Sequence, residues 1–285
     1  MSPVFPRLLL ATERTEFDSG AERLALAMAE RCAQPLAVVM PLTSNPEYEV
    51  EAPQLSDRAD REAAASLTRL RDQAAGAGVT IEIRVRHGAE SWREIVDEAR
   101  ERASALIIVR RRGRRGFLAR MMLGEMVGKL VAHAPCSVLI APRDARLWTQ
   151  RVLAPIDPQA PDLRVVALAA VLARDCGLPL TLVAVASSAA PEARQRAEAT
   201  LEKGRQEAER AAGIRADTIW RTGRAHEQIV AAVGETGADL IVMGRDGETR
   251  PGRAWLGGVT QSVIGLVSLP VLVAVFSNAK ESATP

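Results

Sequence analysis

Two stretches of this chain repeat one another at a nearly constant spacing, and that duplication constrains the fold more than any local propensity does. Arg7-Leu8-Leu9-Leu10-Ala11-Thr12-Glu13 matches Arg151-Val152-Leu153-Ala154-Pro155-Ile156-Asp157 at an offset of 144 residues, which also carries Cys32 to Cys176, Pro35 to Pro179 and Leu36 to Leu180. Farther along, Ser104–Val109 aligns with Ala238–Met243 at an offset of 134, placing Gly113 on Gly247, and Gly124 falls on Gly257 at 133. The shrinking offset puts deletions in loops. A period this long lies far above the roughly 20–50 residues of solenoid repeats, so the duplicated unit is a whole domain. The chain is read as two homologous domains, 1–144 and 150–278, joined around Pro142 to Gln150.

Within each half, apolar runs bounded by turn residues alternate with longer segments of helical periodicity, the pattern of a parallel sheet covered on both faces. The first half predicts strands at Leu8–Ala11, Leu36–Val39, Thr80–Val85, Leu106–Val109 and Val138–Ile140, with helices near Gly20–Cys32, Asp57–Ala77, Glu90–Arg102 and Gly124–Ala132. The second predicts strands at Val152–Ile156, Leu180–Ala186, Ala216–Arg221, Leu240–Met243 and Val271–Phe276, and helices at Asp162–Cys176, Pro191–Ala212, Ala225–Thr236 and Gly257–Val267. The fold class is therefore α/β: two tandem flavodoxin- or Rossmann-like domains, each an open five-stranded, mainly parallel sheet with helices on both faces. Ligands of such sheets bind beyond the carboxyl ends of the strands.

One segment carries chemistry at that place. After the apolar run Ala238–Met243 come Gly244, two residues, Gly247, nine residues, Gly257, and then Gly258-Val259-Thr260. Glycines between a strand end and a helix start let a phosphate approach main-chain N–H groups that any Cβ would obstruct. Thr260 can present its hydroxyl to that phosphate or satisfy a backbone carbonyl. Asp157, just after a strand, can accept hydrogen bonds from a ribose hydroxyl or an adenine amino group, or cap the following helix. Asp246 inside the loop repels an anion unless Mg²⁺ or Arg245 offsets it.

Together with Gly223-Arg224-Ala225-His226-Glu227-Gln228-Ile229 and Leu269-Pro270-Val271-Leu272-Val273, these motifs make the chain resemble a tandem universal stress protein over nearly its whole length. In nucleotide-binding members of that family, a proline and an aspartate after the first strand and a valine ending the second contact adenosine. The resemblance implies those roles for Pro155, Asp157 and Val185, and a phosphate cradle at Met243, Gly244, Gly247, Gly257, Gly258, Val259 and Thr260. It implies ATP, ADP or AMP as ligand, with Mg²⁺ as an accompanying ion. One departure is Gly258, where the family usually has serine: the hydroxyl is lost and the backbone N–H kept. The terminal strands Val138–Ile140 and Val271–Phe276 resemble the edges that join domains in the family, so homodimer formation is a further expectation.

The first half has lost the cradle. Arg110 stands where Gly244 does, Glu125 is beside the third glycine, and the loop between is one residue longer. Glu125 at a helix start can take the anion's place on the helix dipole. The expectation is one nucleotide site per chain, with the first domain a structural or interaction partner. The cluster Arg110-Arg111-Arg112-Gly113-Arg114-Arg115 is either a solvated loop or a site for an anionic macromolecule or lipid headgroup; apart from Phe117 it lacks the aromatics that stack bases.

Other chemistry finds little support. At 47% hydrophobic, 25% charged and a formal net charge of +2, the 285 residues suit a globular protein and not a generic polyanion binder. No apolar stretch approaches the roughly 20 residues of a membrane span, and the start lacks a signal-peptide layout, which predicts the cytoplasm. Cys32, Cys136 and Cys176 read as packing residues, as do Trp92, Trp148, Trp220 and Trp255, while His87, His133 and His226 are too dispersed for zinc. No nucleophile elbow or Walker motif occurs. Slow ATP hydrolysis stays open as an alternative, with Asp157 and Asp246 its candidate bases.

Overall fold

Runs such as Leu106-Ile107-Ile108-Val109, in which every residue is apolar, have no polar face to offer water and form strands buried on both sides. The computed structural model describes residues 4–43, 53–111, 124–245 and 256–276, with the side chains of 53–63 excepted. The described residues fall into two compact units, one within Met1–Arg111, Lys129–Ala145 and Val275–Pro285, the other within Arg112–Gly128 and Arg146–Ala274.

In chain order the first half runs β1 (Leu8–Ala11), a 3₁₀ turn (Glu16–Asp18), α1 (Ser19–Arg31), β2 (Leu36–Thr43), α2 (Pro53–Gly76), β3 (Ile81–Gly88), α3 (Ser91–Glu101), β4 (Leu106–Arg110), α4 (Glu125–His133) and β5 (Ser137–Ala141). The second runs β6 (Val152–Ile156), α5 (Leu163–Cys176), β7 (Leu180–Ala186), α6 (Pro191–Ala212), β8 (Asp217–Thr222), α7 (Ala225–Thr236), β9 (Leu240–Gly244), α8 (Gly258–Leu266) and β10 (Val271–Ala274). The strand orders are β3-β2-β1-β4-β5 and β10-β9-β6-β7-β8, and the paired strands run parallel. Each unit is thus a doubly wound α/β domain whose strand order reverses beside its first strand, at β1/β4 and at β6/β9.

Four of the predicted elements of the second half, β6, β7, α6 and α7, have the expected bounds. The larger differences lie in the first half, where β2 continues past Val39 to Thr43 and β3 runs on past Val85 to Gly88. Met40 pairs with Val85, and beyond it the added residues pair with each other in register, Pro41↔Arg86 through Thr43↔Gly88. Pro41 and charged residues break the apolar pattern there, and tertiary pairing overrides the local signal.

The core of each unit is aliphatic. Leu8, Leu9, Leu10, Leu24, Ile107 and Ile108 are almost completely buried, as are Leu153, Val166, Leu182, Ile241 and Val242, each worth about 1.5–3 kcal/mol relative to exposure. Helix α6 lies close on the sheet because residue 204 is glycine: a Cβ there would come within 2.7 Å of Ile156 and 2.9 Å of Leu182. Of the cysteines only Cys136 is a core residue, its thiol pushed up to about 12 by burial. Cys32 is exposed, contrary to the packing role expected of it, and Cys176 is half-buried and accepts a hydrogen bond from the Trp148 indole at 3.4 Å. Trp148 itself is buried.

The two units treat helix ends differently. Helices α5 and α7 stop at Gly177 and Gly237, with φ of 67° and 66°, the left-handed conformation that glycine adopts without a Cβ clash. The repeat-equivalent residues of the first half are Ala33 and Ala103, both at φ 47°. Arg14 is likewise left-handed at φ 57°, and among the described residues all three non-glycine positive-φ positions belong to the first unit.

Candidate functional site

Beyond the carboxyl end of β6 the second unit opens. Pairing of β6 with β9 extends only through Val152↔Leu240 and Leu153↔Ile241, whereas β1 and β4 stay paired through Ala11↔Val109. Pro155, the repeat partner of Ala11, brings no N–H to a ladder. At this switch point lies a cavity of about 220 Å³.

Nine of the ten residues expected at the site line it: Pro155, Asp157, Val185, Met243, Gly244, Gly257, Gly258, Val259 and Thr260. The tenth, Gly247, lies outside the described residues, as do Asp246 and Trp255. Val183, Val185, Val165, Ala225 and Ile229 form an apolar wall. Of these only Val185 was expected. Val183 shares a strand face with it by the two-residue period of β7, and Ala225 and Ile229 are one helical turn apart on α7.

Helix α8 supplies the polar side. Its N-cap is Gly257, which has no side chain to cap with. The first intrahelical bond runs from the Gln261 N–H to the Gly257 carbonyl at 2.9 Å, so the N–H groups of Gly258, Val259 and Thr260 are those a helix start leaves without intrahelical acceptors. They carry the positive end of the helix dipole. Thr260 takes the second of the two roles open to it: it is buried, and its hydroxyl donates to the Gly244 carbonyl at 3.1 Å. That bond ties the start of α8 to the end of β9. Gly257 is also held to the strand end, its N–H donating to the Arg245 carbonyl at 2.9 Å.

Two carboxylates, Asp157 and Asp162, line the cavity. Asp157 is exposed, and its Oδ1 accepts the Gln159 N–H at 2.8 Å, closing an Asx turn. The helix cap is instead Asp162, which accepts the Arg164 backbone N–H at 3.0 Å and pairs with its guanidinium at 2.7 Å. Burial works against ionising Asp162, but the hydrogen bonds from Arg164 outweigh it and hold its pKa below the ordinary carboxylate value. Sequence reading missed Asp162, although the offset of 144 makes it the repeat of Asp18. Among the described residues the cavity has no Lys or Arg in its lining.

The equivalent place in the first unit is filled. Arg110 is 2% exposed. Its guanidinium donates to Asp18 at 2.7 Å and to Glu13 and Thr15 at 2.5 Å each. Thr15 and Asp18 also form a capping box at the 3₁₀ turn. Beside them Thr12 donates to Glu22 at 2.7 Å, and Arg14 pairs with the other Glu22 oxygen. This corrects both readings of Arg110, as part of a solvated loop or of an anion site: it is buried among carboxylates and offers nothing to solvent or to an external anion. Arg112, Arg114, Arg115, Gly113 and Phe117 lie outside the described residues.

Each unit is thus a parallel, doubly wound domain with its distinctive residues at the switch point, the class of fold that binds nucleotides there. The model of the universal stress protein family matches residues 5–142 and again 149–274, and the chain belongs to that family, with two of its domains in tandem. The universal stress protein MJ0577 of Methanocaldococcus jannaschii is 37% identical over 67 residues, 24% of this chain and 41% of that protein, so the match spans less than half the length of this relative. Among solved structures, a universal stress protein from Archaeoglobus fulgidus DSM 4304 aligns at 18% identity over 95% of this chain and 98% of its own, with a TM-score of 0.73. One described as a putative universal stress protein, from Pseudomonas aeruginosa UCBPP-PA14, aligns at 19% identity over 95% and 93%, with a TM-score of 0.71. At these identities the likeness is one of fold. No helix among the described residues is long and apolar enough to cross a membrane.

Proposed function

We propose that the second domain binds an adenine nucleotide, ATP, ADP or AMP, and that the first domain is its structural or interaction partner. The observation that carries this reading is the uncapped start of α8 in the lining of a cavity that Val183, Val185, Ile229 and the exposed Asp157 also line. An adenine ring suits the wall of Val183, Val185 and Ile229, a ribose hydroxyl suits Asp157, and phosphate oxygens suit the N–H groups of Gly258, Val259 and Thr260. Pro155, Met243, Gly244 and Gly257 line the same space, and Gly247 is assigned to the cradle by its spacing in the sequence. Binding is the claim. Hydrolysis would need a positioned base, and Asp157 has one oxygen in the Asx turn with Gln159. Among the described residues no group of three or more His, Cys, Asp or Glu side chains is placed to hold a metal ion.

Mass spectrometry of nucleotide that co-purifies with the full chain, followed by calorimetric titration, tests the reading. One site per chain is expected, and two equal sites would overturn the division of labour. Gly257→Val should weaken binding about tenfold or more while thermal unfolding stays unchanged, since the backbone at 257 has an ordinary φ of −56°. An unchanged titration curve would remove the glycine from the site.

A further inference from the structure

The two units end in equivalent edge strands that are built differently. β3 ends the strand order of the first unit and β8 that of the second, and among the described residues each pairs on one side only, with β2 and with β7. Ala37 of β2 and Thr181 of β7 are repeat equivalents at the offset of 144. Ala37 faces Glu82 and Thr181 faces Asp217, so Glu82, Arg84 and Arg86 stand where Asp217, Ile219 and Arg221 do. The outer two positions keep their sign of charge, and the middle one changes from arginine to isoleucine. An exposed edge is a template for another strand, and charge along it is a common guard. Arg84, its side chain 47% exposed, guards the middle of β3, whereas β8 has no charge between Asp217 and Arg221.

The N–H of Gly223, the residue after β8, donates to the Ala186 carbonyl of β7 at 3.1 Å. By the alternation of a strand, Asp217, Ile219 and Arg221 turn their backbone groups toward β7, and Thr218, Trp220 and Thr222 turn theirs outward. A second β8 laid antiparallel to the first, Ile219 opposite Ile219, sets Thr218 opposite Trp220 in both directions, where outward N–H and C=O groups meet. The same register sets Asp217 of one copy against Arg221 of the other, twice over, on the face that Ile219 shares. Asp217, 67% exposed, is paired with Arg151, and Arg221 is held by Gln228 and Glu235 of α7, so both charges are already positioned. Covering the half-buried Ile219 completes its burial. A shift of two residues either way loses both ion pairs. In β3 the same arrangement sets Arg84 against Arg84, like charges on the axis.

We propose that the outer edge of β8 binds a second copy of this chain, β8 against β8, antiparallel about a two-fold axis at Ile219. The interface is isologous, so each residue that gives a contact also receives one. It uses a strand other than the terminal strands β5 and β10, on which the homodimer expectation rested, and none of its residues lines the cavity beyond β6. The first domain, with Arg84 in the middle of β3, does not pair in this way.

Analytical ultracentrifugation of the full chain across about 1–100 μM tests this. A dimer is expected, and Ile219→Arg, which gives β8 the middle residue of β3, should raise its dissociation constant about 100-fold while thermal unfolding stays unchanged. In a Cys32→Ser background, Ile219→Cys should cross-link two chains under mild oxidation, because a non-hydrogen-bonded antiparallel pair brings its Cα atoms to about 4.5 Å. Trp220→Cys, opposite Thr218 in this register, should not. Monomers at every concentration overturn the proposal and leave the edge of β8 to a partner of another kind. A dimer that Ile219→Arg leaves unchanged, or that Ile219→Cys does not cross-link, places the contact on another surface and overturns it equally.

Discussion

The two carboxyl-edge sites of this chain descend from one pattern and reach opposite ends. In the first unit Thr12, Glu13, Arg14, Thr15, Asp18, Glu22 and Arg110 form a closed polar network. Their repeat equivalents are Ile156, Asp157, Pro158, Gln159, Asp162, Val166 and Gly244, and there a cavity opens. Both acids of the Glu13 and Asp18 pair recur in the second half, as Asp157 and Asp162, so acidity does not separate them. The residue that ends the fourth strand of each half does: a guanidinium seals the first site, and a glycine vacates the second. A buried ion network of this kind adds little net stability over apolar packing, yet removing one member is costly because the others stay buried and charged.

The largest effect should therefore come from Arg110→Gly. Opening the first site in this way leaves the Asp18 carboxylate, 2% exposed, without its guanidinium, and should cost about 3–5 kcal/mol. Denaturant unfolding of the full chain should show the loss in the transition of the first unit. A loss under about 1 kcal/mol would mean that the network does not hold the site closed. No nucleotide site should appear, since Glu13, Pro41 and Glu125 replace Asp157, Val185 and Gly258.

The reciprocal change, Gly244→Arg, should seal the second site. Gly244 is not among the positive-φ glycines, so the backbone accepts a side chain, and the guanidinium can reach the acid pair as Arg110 does. Nucleotide affinity should fall about 100-fold, or roughly 2.7 kcal/mol, while thermal stability is maintained. Retained affinity by calorimetry would break the symmetry on which the comparison rests.

The units should also differ in acid. Glu98 on α3 is buried with Arg84, Arg86 and Arg102 around it at 3.1, 2.9 and 2.5 Å, and its repeat partner in the second unit is Ala232. Burial opposes ionisation of Glu98, but the hydrogen bonds from Arg102 and Arg86 outweigh it and its pKa is lowered. A carboxylate with a depressed folded-state pKa gives stability that is fully present above its unfolded value of about 4.3 and is lost as pH falls through the folded value. The first unit should lose stability on that acid limb, and Glu98→Gln should flatten it. Equal acid limbs in wild type and variant would assign the loss to other carboxylates.

The smallest effect concerns the helix ends. Ala103→Gly gives the first unit the residue that the second has at Gly237, and relieves a left-handed φ of 47°. Stabilisation of about 1 kcal/mol is expected in the thermal transition. A loss would mean that glycine's unfolded-state entropy outweighs the Cβ clash there.

Much of the fold was legible because it rests on local pattern. β6, β7, α6 and α7 follow from apolar runs, an N-terminal Pro191 and the caps Gly213 and Gly237, and the offset of 144 announced the duplication. The lengthened β2 and β3 were not legible, because pairing of Pro41 with Arg86 and of Leu42 with His87 is a bond between chains of residues far apart. At the site, the glycines and Asp157 stood out by residue type and spacing. Val165, Val183 and Ile229 did not, since an aliphatic residue that lines a cavity and one that fills a core read alike.

The sequence by itself determined the family, the two domains and the strand ends on which chemistry must sit, because these depend on hydrophobic period and on glycine placement. Only the tertiary structure decided which side chains satisfy one another across those ends. Arg110 read as one more member of a basic cluster until Glu13, Thr15 and Asp18 were brought around its guanidinium. The Thr260 hydroxyl could serve a ligand or a carbonyl until α8 was set against β9. Both choices are between partners 16 to 97 residues apart, and a hydrogen bond forms only where the fold supplies the distance and direction.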